Sequence, residues 1–237
     1  MDYSETVDTI TSWLKEQARE AGLHNAVIGV SGGVDSAVAA VLAQEAFGQN
    51  LQALILPCAS DSQDAEDARK LTSQFRIDTL QFDTEDIYNL FISKFVHTSQ
   101  LAAANLKARL RMCALYHAAN VTNALVIGTT NRTEMELGYF TKYGDGGVDL
   151  EPIADLYKTE VFGLASYLGV PKAIITKPPS AGLWEGQTDE EEMGFTYEEI
   201  DRILQGTTEP YPIEIEARIK ANIHKQNLAP TCILKYS

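Results

Sequence analysis

The chain switches between amphipathic stretches and short, continuously apolar ones. From Asp2 to Ala21, Val7, Ile10, Leu14 and Ala18 recur near helical spacing and predict an amphipathic helix. Asn25 to Val30 is an apolar run bounded by Gly and Ser, the pattern of a strand buried on both faces. After Gly32 and Gly33, Val34, Val38, Val41 and Leu42 return to helical spacing, and Gly48 marks the stop. Leu51 to Leu56 predicts a second buried strand, ended by Pro57. Asp64 to Phe75 reads as a polar-faced helix and Thr79 to Phe82 as a short third strand. Two helices, about Thr84 to Val96 and Leu101 to Ala119, lead to a fourth buried strand from Ala124 to Gly128.

Continuously apolar strands separated by helices specify an α/β fold with a parallel sheet covered on both faces. Right-handed crossovers make it a doubly wound, Rossmann-like sheet whose ligands sit at the carboxyl ends of the strands. Past residue 128 the pattern weakens. Lys158 to Leu168 predicts a helix stopped by Gly169 and Pro171. Lys177 to Gly194 is long, aperiodic and rich in Pro, Gly and acid, which reads as a lid, with Asp189 to Glu192 as a solvated loop face. No repeat and no second domain are visible, so residues 1–237 are expected to form a single domain.

Composition narrows the classes. Hydrophobic residues make up 45% and charged residues 22%, with a mean hydropathy of −0.14, as in globular proteins. The apolar runs are far shorter than the roughly 18 residues of a membrane span, and the acidic N-terminus has no secretory pattern. Cys58, Cys113 and Cys232 form no CxxC pair or disulfide framework, so a reduced, cytoplasmic setting is expected. A net charge of −14 argues against nucleic-acid binding. A small polyanion remains open, since it needs only a few cations and backbone N–H groups.

The block Gly29-Val30-Ser31-Gly32-Gly33-Val34-Asp35-Ser36 joins the first buried strand to a helix. Adjacent glycines let the backbone approach a ligand, and successive N–H groups with a helix N-terminus behind them form an anion nest. Ser31 and Ser36 add hydroxyls. Asp35 places a carboxylate where phosphate would sit, which calls for a divalent cation between them, naturally Mg²⁺. The plainer reading is a tight turn with Asp35 as helix N-cap. No Lys stands in the Walker A frame.

The block resembles the Ser-Gly-Gly-x-Asp-Ser loop of the ATP-pyrophosphatase (PP-loop) family. Three further blocks narrow the resemblance: Asn105-Leu106-Lys107-Ala108-Arg109-Leu110-Arg111-Met112, Gly128-Thr129, and Phe140-Thr141-Lys142-Tyr143-Gly144-Asp145-Gly146-Gly147-Val148-Asp149. In order and spacing they are similar to those of the ammonia-dependent NAD synthetase family, from Gly29 to His224-Lys225. The resemblance implies an adenine nucleotide α-hydrolase-like fold and amidation of deamido-NAD by ammonia and ATP. It implies that Gly29 through Ser36, Thr129, Lys158 and Ser180 contact ATP and that Asp35 and Glu134 hold Mg²⁺. Arg109, Lys142, Asp149, His224 and Lys225 would contact deamido-NAD, with Asp35, Lys142 and Lys158 in catalytic roles.

The sequence departs from many relatives at Thr130-Asn131-Arg132-Thr133, where they carry Asp-His-Ala-Ala; the spacing to Glu134 is kept. Arg109 and Arg111 lie on different faces of one helix, so both cannot serve one site, and the resemblance selects Arg109. About 28 residues precede the loop, whereas glutamine-dependent relatives carry a large N-terminal domain with a catalytic cysteine, so free ammonia is the expected nitrogen source. The family also implies a homodimer. Leu101, Ala104, Ala108, Met112, Leu115 and Ala119 form an apolar stripe that suits such an interface, or equally the chain's own sheet. Rival readings are another PP-loop amidating or thiolating enzyme, which in the thiolases would need paired cysteines, and a non-catalytic nucleotide-binding module.

Overall fold

The computed structural model describes residues 1–59, 62–180, 188–207, 212–227 and 229–232. The first half follows the apolar pattern closely. Helix α1 (Tyr3–Glu20) starts on Asp2, whose side chain accepts from the N–H groups of Ser4 and Glu5. Then come β1 (Asn25–Gly29), α2 (Val34–Phe47), β2 (Leu51–Ile55), α3 (Ser62–Gln74) and β3 (Asp78–Gln81). Helices α4 (Glu85–Ile92) and α5 (Gln100–Thr122) lead to β4 (Ala124–Ile127).

All strand pairs are parallel, and the sheet order is β3-β2-β1-β4. The chain steps outward from β1 to β3, then returns to place β4 on the other side of β1. The reversal leaves a switch point between β1 and β4, where a crevice opens at the carboxyl ends of the strands. It also puts helices on both faces. Ala26, Ile28, Ala53, Ile55 and Ile127 pack toward α1, α2, α3 and a later helix, α7 (Lys158–Tyr167). Val27, Leu54 and Val126 point the other way, against Met112, Leu115 and Ala119 of α5. This alternation is what strands buried on both sides require.

The α5 stripe therefore packs on the chain's own sheet. Ala104, Ala108, Met112, Leu115 and Ala119 are buried within one chain and only Leu101, 64% exposed, faces outward. Of the two uses the stripe suited, packing on the chain's own sheet is the one observed: the sheet needed an apolar helix on its second face, and α5 supplies it with Met112, Leu115 and Ala119.

Past β4 the chain is more ordered than its pattern suggests. Short helices α6 (Arg132–Leu137), α8 (Lys172–Ile175), α9 (Asp189–Met193) and α10 (Tyr197–Leu204) escape periodicity arguments because each is eight residues or fewer. Helix α11 (Ile213–Gln226) follows Pro212. Leu137, Met193, Tyr197, Ile200, Ile203 and Ile215 from α6, α9, α10 and α11 make a small apolar cluster of their own. The expected aperiodic stretch from Lys177 to Gly194 thus contains a helix; its residues 181–187 lie outside the described residues, and with them the middle of the expected lid. The expected solvated acidic face holds at Glu191 and Glu192, which are exposed, and is corrected at Asp189. Asp189 is 3% exposed, because its carboxylate accepts from the hydroxyls of Tyr139 and Tyr197.

Candidate active site

The loop after β1 is built around its glycines. Gly32 has φ +88°, which favours glycine, and a Cβ there would run into the Asp64 carbonyl of α3. The serine hydroxyls organise the turn: Gly33 N–H donates to Ser31 Oγ (3.2 Å), Ser31 N–H donates to Ser36 Oγ (3.2 Å), and Ser36 Oγ donates to the Gly33 carbonyl (3.0 Å). Gly33, the N-cap of α2, provides no side-chain cap, so the amide end of a 14-residue helix faces the crevice with unsatisfied donors. Asp35 lies in the first helical turn rather than at the cap, which corrects the plainer reading of it.

Asp35 is held from two directions. Its Oδ1 accepts from Asn131 Nδ2 (2.8 Å) and its Oδ2 from Lys158 Nζ (2.6 Å). Asn131 caps α6, and Glu134 closes the box by accepting the Asn131 N–H at Oε2. The other Glu134 oxygen accepts from Lys158 Nζ at 3.2 Å. Helix α2 after β1, α6 after β4, and α7 thus meet through one ammonium at the switch point.

Lys158 is the first residue of α7, where the helix dipole disfavours a cation. It is 2% exposed. Burial alone would push its pKa down; the Asp35 and Glu134 carboxylates outweigh this and hold it above the ordinary lysine range. Burial pushes the Glu134 carboxyl above the usual carboxylate range, with help from the Asp35 charge and against the pull of Lys158. Two carboxylates sharing one cation leave room for further positive charge.

A second lysine ties the loop to its surroundings. Lys177 Nζ lies 2.9 Å from Asp64 and 2.7 Å from Asp67, and donates to the Gly32 carbonyl at 3.4 Å. Burial would raise the Asp67 carboxyl, but its bonds from Lys177 and Gln63 hold it below the usual carboxylate range.

The crevice is a cavity of about 490 Å³. Of the expected ATP contacts, Gly29, Val30, Ser31, Gly33, Val34, Asp35, Ser36, Thr129, Lys158 and Ser180 line it, as do Glu134 and Lys225. Gly32 stands just behind the wall, against Asp64. Arg109, Lys142, Asp149 and His224 lie outside it. Three of these four interlock: Arg109 donates to the Lys142 carbonyl (3.3 Å), and Lys142 Nζ to the carbonyls of His224 (2.5 Å) and Asn227 (3.0 Å). Lys225 Nζ holds the carbonyls of Gly138 and Phe140. Asp149 caps the sheet edge, accepting from Val126 N–H and from the Tyr116 hydroxyl, whose pKa burial and Asp149 push up to about 12.

Sequence reasoning missed several cavity residues. Arg111, not Arg109, lines the cavity, its Nε donating to the Leu56 carbonyl at 3.1 Å. The signal was present: Arg111 lies three residues after Ala108 and four before Leu115, so it rides on the stripe that faces the sheet. Behind the cavity wall, Asn131 on Asp35 and Tyr197 on Lys158 were also missed, though Asn131–Glu134 and Thr196–Glu199 are both capping-box spacings that announce a helix start.

A parallel sheet carrying an uncapped, glycine-led helix start and a carboxylate–ammonium cluster at its switch point defines a nucleotide-binding α/β protein equipped for phosphoryl chemistry. The NAD synthase family model matches residues 6–234. This chain belongs to the NAD synthase family. It is 46% identical to an NH3-dependent NAD+ synthetase of Finegoldia magna over 97% of this chain and 96% of that protein. Among solved structures it superposes on an NMN synthetase from Francisella tularensis with a TM-score of 0.94 at 41% identity, covering 99% and 100% of the two chains. An NH3-dependent NAD synthetase from Campylobacter jejuni, in complex with nitrate, gives 0.83 at 30% identity, covering 98% and 100%.

Asp35→Asn is expected to lower turnover on the order of 100-fold or more, since several kcal/mol of charge stabilisation are lost and about 1.4 kcal/mol is tenfold in rate. Glu134→Gln should act similarly. Steady-state rates at saturating Mg²⁺ check this, and near-wild-type turnover would remove that residue from the reaction.

Proposed function

We propose that the protein is a ligase that forms the carboxamide of NAD from deamido-NAD, ATP and ammonia, working as one NAD synthase domain over residues 1–237. The observation that carries this reading is the ammonium of Lys158 between Asp35 and Glu134, directly beside the uncapped start of α2. A carboxylate is a poor electrophile at neutral pH and must be activated. Its oxygen attacks the α-phosphorus of ATP, the bond to the bridging oxygen breaks, and pyrophosphate leaves with that electron pair. Ammonia then attacks the carbonyl carbon of the mixed anhydride, expelling AMP and losing one proton. The residues' work is positioning and charge neutralisation.

In this reading the loop from Gly29 to Ser36 cradles the leaving diphosphate with backbone N–H groups, and Thr129 and Ser180 add hydroxyls from the opposite wall. Lys158 places a fixed positive charge where negative charge develops. The donor set suits Mg²⁺: Asp35 and Glu134 offer hard oxygens, and among the described residues no cluster of three or more metal-binding side chains exists. Mg²⁺ usually takes one or two carboxylates together with substrate phosphates; when bound it supplies charge neutralisation on the diphosphate. Arg109, Lys142, Asp149, His224 and Lys225 are assigned to the dinucleotide. Arg109, Lys142 and Lys225 donate to backbone carbonyls, contacts that phosphate oxygens can replace, and Arg111 adds a cation inside the cavity.

A second reading concerns the size of the substrate. The Francisella protein, with the higher TM-score of the two solved relatives described, is an NMN synthetase by name. The nicotinate carboxylate is common to mononucleotide and dinucleotide, and only the adenylyl half distinguishes them. Purified protein given ATP, Mg²⁺ and ammonium is expected to release AMP and pyrophosphate with deamido-NAD at a higher kcat/KM than with nicotinate mononucleotide. The reverse preference establishes the mononucleotide reading. Turnover with glutamine as good as with ammonium contradicts ammonia dependence.

The partner is assigned as a second copy of the chain, with neither nucleic acid nor membrane; no described helix is long and apolar enough to cross a membrane. Support comes from α4, which buries none of its residues although Ile87, Leu90 and Phe91 face outward. Phe95, Val96 (91% exposed) and Leu101 extend this apolar surface toward α5. Arg109 lies exposed on α5, so a neighbouring copy would bring the outlying substrate residues toward a closed site. Light scattering at micromolar concentration is expected to return twice the chain mass of 26.0 kDa, and Leu90→Asp should shift it toward the chain mass. A fully active species at the single-chain mass contradicts the dimer.

A further inference from the structure

Lys158 has four side-chain torsions and springs from the first residue of a helix, so nothing local fixes its direction. Its surroundings come from α10, an element the reading of the reaction leaves unused. Tyr197 and Asp201 are four residues apart on α10, hence on one face, and are 1% and 2% exposed. The Asp201 carboxylate receives two donors at the start of α7. Thr159 N–H donates to Oδ2 (2.9 Å), and Thr133 Oγ1 donates to Oδ1 (2.5 Å) while itself accepting the Lys158 N–H (3.0 Å). One carboxylate thus satisfies the first orphan amides of α7, directly and through the fully buried Thr133 of α6. Tyr197 lays its ring beneath the Lys158 ammonium, Nζ 4.8 Å from the ring centre, and anchors its own hydroxyl on Asp189 at 2.8 Å.

We propose that α10 is the positioning element of the site, with Asp201 fixing the backbone from which Lys158 springs and Tyr197 fixing its ammonium against Asp35 and Glu134. The ring's π face attracts the cation and blocks the space into which the chain could fold away. Asp201 aligns α6, which carries Glu134, with α7, which carries Lys158, so both partners of the ion cluster shift together if it is lost. Neither residue touches the reacting atoms. The inference rests on the catalytic assignment of Lys158 made above.

A misplacement of about 1 Å can cost on the order of 100-fold in rate. Asp201→Asn, which keeps the shape, is expected to lower kcat at least about tenfold while the KM for ammonium stays within about twofold. The readout that separates positioning from general stability is a double-mutant comparison. In a Lys158→Arg background, Asp201→Asn should bring no further loss, because its effect runs through Lys158. Multiplying losses, or an Asp201→Asn enzyme as fast as wild type, overturn the proposal. Should Asp201→Asn fail to fold, Tyr197 decides: Tyr197→Phe, which keeps the ring but loses its anchor on Asp189, should retain more of kcat than Tyr197→Leu, which loses both. Equal rates in those two variants overturn it as well. Full activity in Lys158→Gln would instead show that the catalytic reading of Lys158 is wrong, a result distinct from any failure at Asp201 or Tyr197.

Discussion

Everything in this structure converges on one ammonium group. Lys158 holds Asp35 and Glu134 together at the switch point of the sheet, and the three residues come from helices that begin after β1, after β4 and far downstream. Without the cation two carboxylates would face each other in a desolvated crevice, where like charges cannot both persist. Breaking a buried pair by removing one partner costs about 3–5 kcal/mol, a large share of a domain's stability. The same arrangement fixes charges that water would otherwise screen. In the proposed reaction, stability and chemistry draw on the same contacts, and the Asn131 bond to Asp35, the Lys158 N–H bond to Thr133 and the Tyr197 ring under Lys158 hold them in place.

The site has two parts with different characters. Around the glycine loop, donors are held in place by short-range structure: hydroxyls inside the turn, a helix start left uncapped, and Lys177 clamped by two aspartates. At the rim, Lys142 and Lys225 are parked on backbone carbonyls of opposite segments, so α11 and the turn at residues 138–142 grip each other. Such contacts are readily exchanged for a ligand's phosphates, since a carbonyl loses little when water replaces the lysine. A preorganised reaction centre beside an exchangeable rim suits an enzyme that must hold a large anionic substrate and then release a product differing from it only in one amide.

The sheet was largely legible before the structure. Strands buried on both faces must be apolar throughout, so β1, β2 and β4 announce themselves, and Gly48 and Pro57 mark where elements stop. The order of the strands, and so the switch point, does not follow from local pattern; it depends on which side β4 joins. Beyond residue 128, α7 was legible from its apolar spacing and its Gly169 and Pro171 stop, whereas α6, α8, α9 and α10 are too short for periodicity, and only α6 and α10 carry capping-box spacings, at Asn131 and Thr196. The glycine loop was readable from its chemistry. Lys158 was singled out only by the family resemblance, because on its own chemistry a lysine at a helix start looks like a surface residue until the fold brings two carboxylates to it. Arg111 was passed over although its spacing to Ala108 and Leu115 puts it on the sheet-facing stripe, because the resemblance selected Arg109. The acidic run at Asp189 looked solvated because only packing shows that two tyrosines take up its first carboxylate.

In the proposed reaction this cluster directs a carboxylate oxygen onto the α-phosphorus of ATP. Deamido-NAD carrying ¹⁸O in both oxygens of its nicotinate carboxylate tests that step most directly. After turnover with ATP and ammonium, mass spectrometry of the products should find one ¹⁸O in the phosphate of AMP and none in pyrophosphate. Label absent from AMP, or found in inorganic phosphate with ADP as the partner product, would contradict the account.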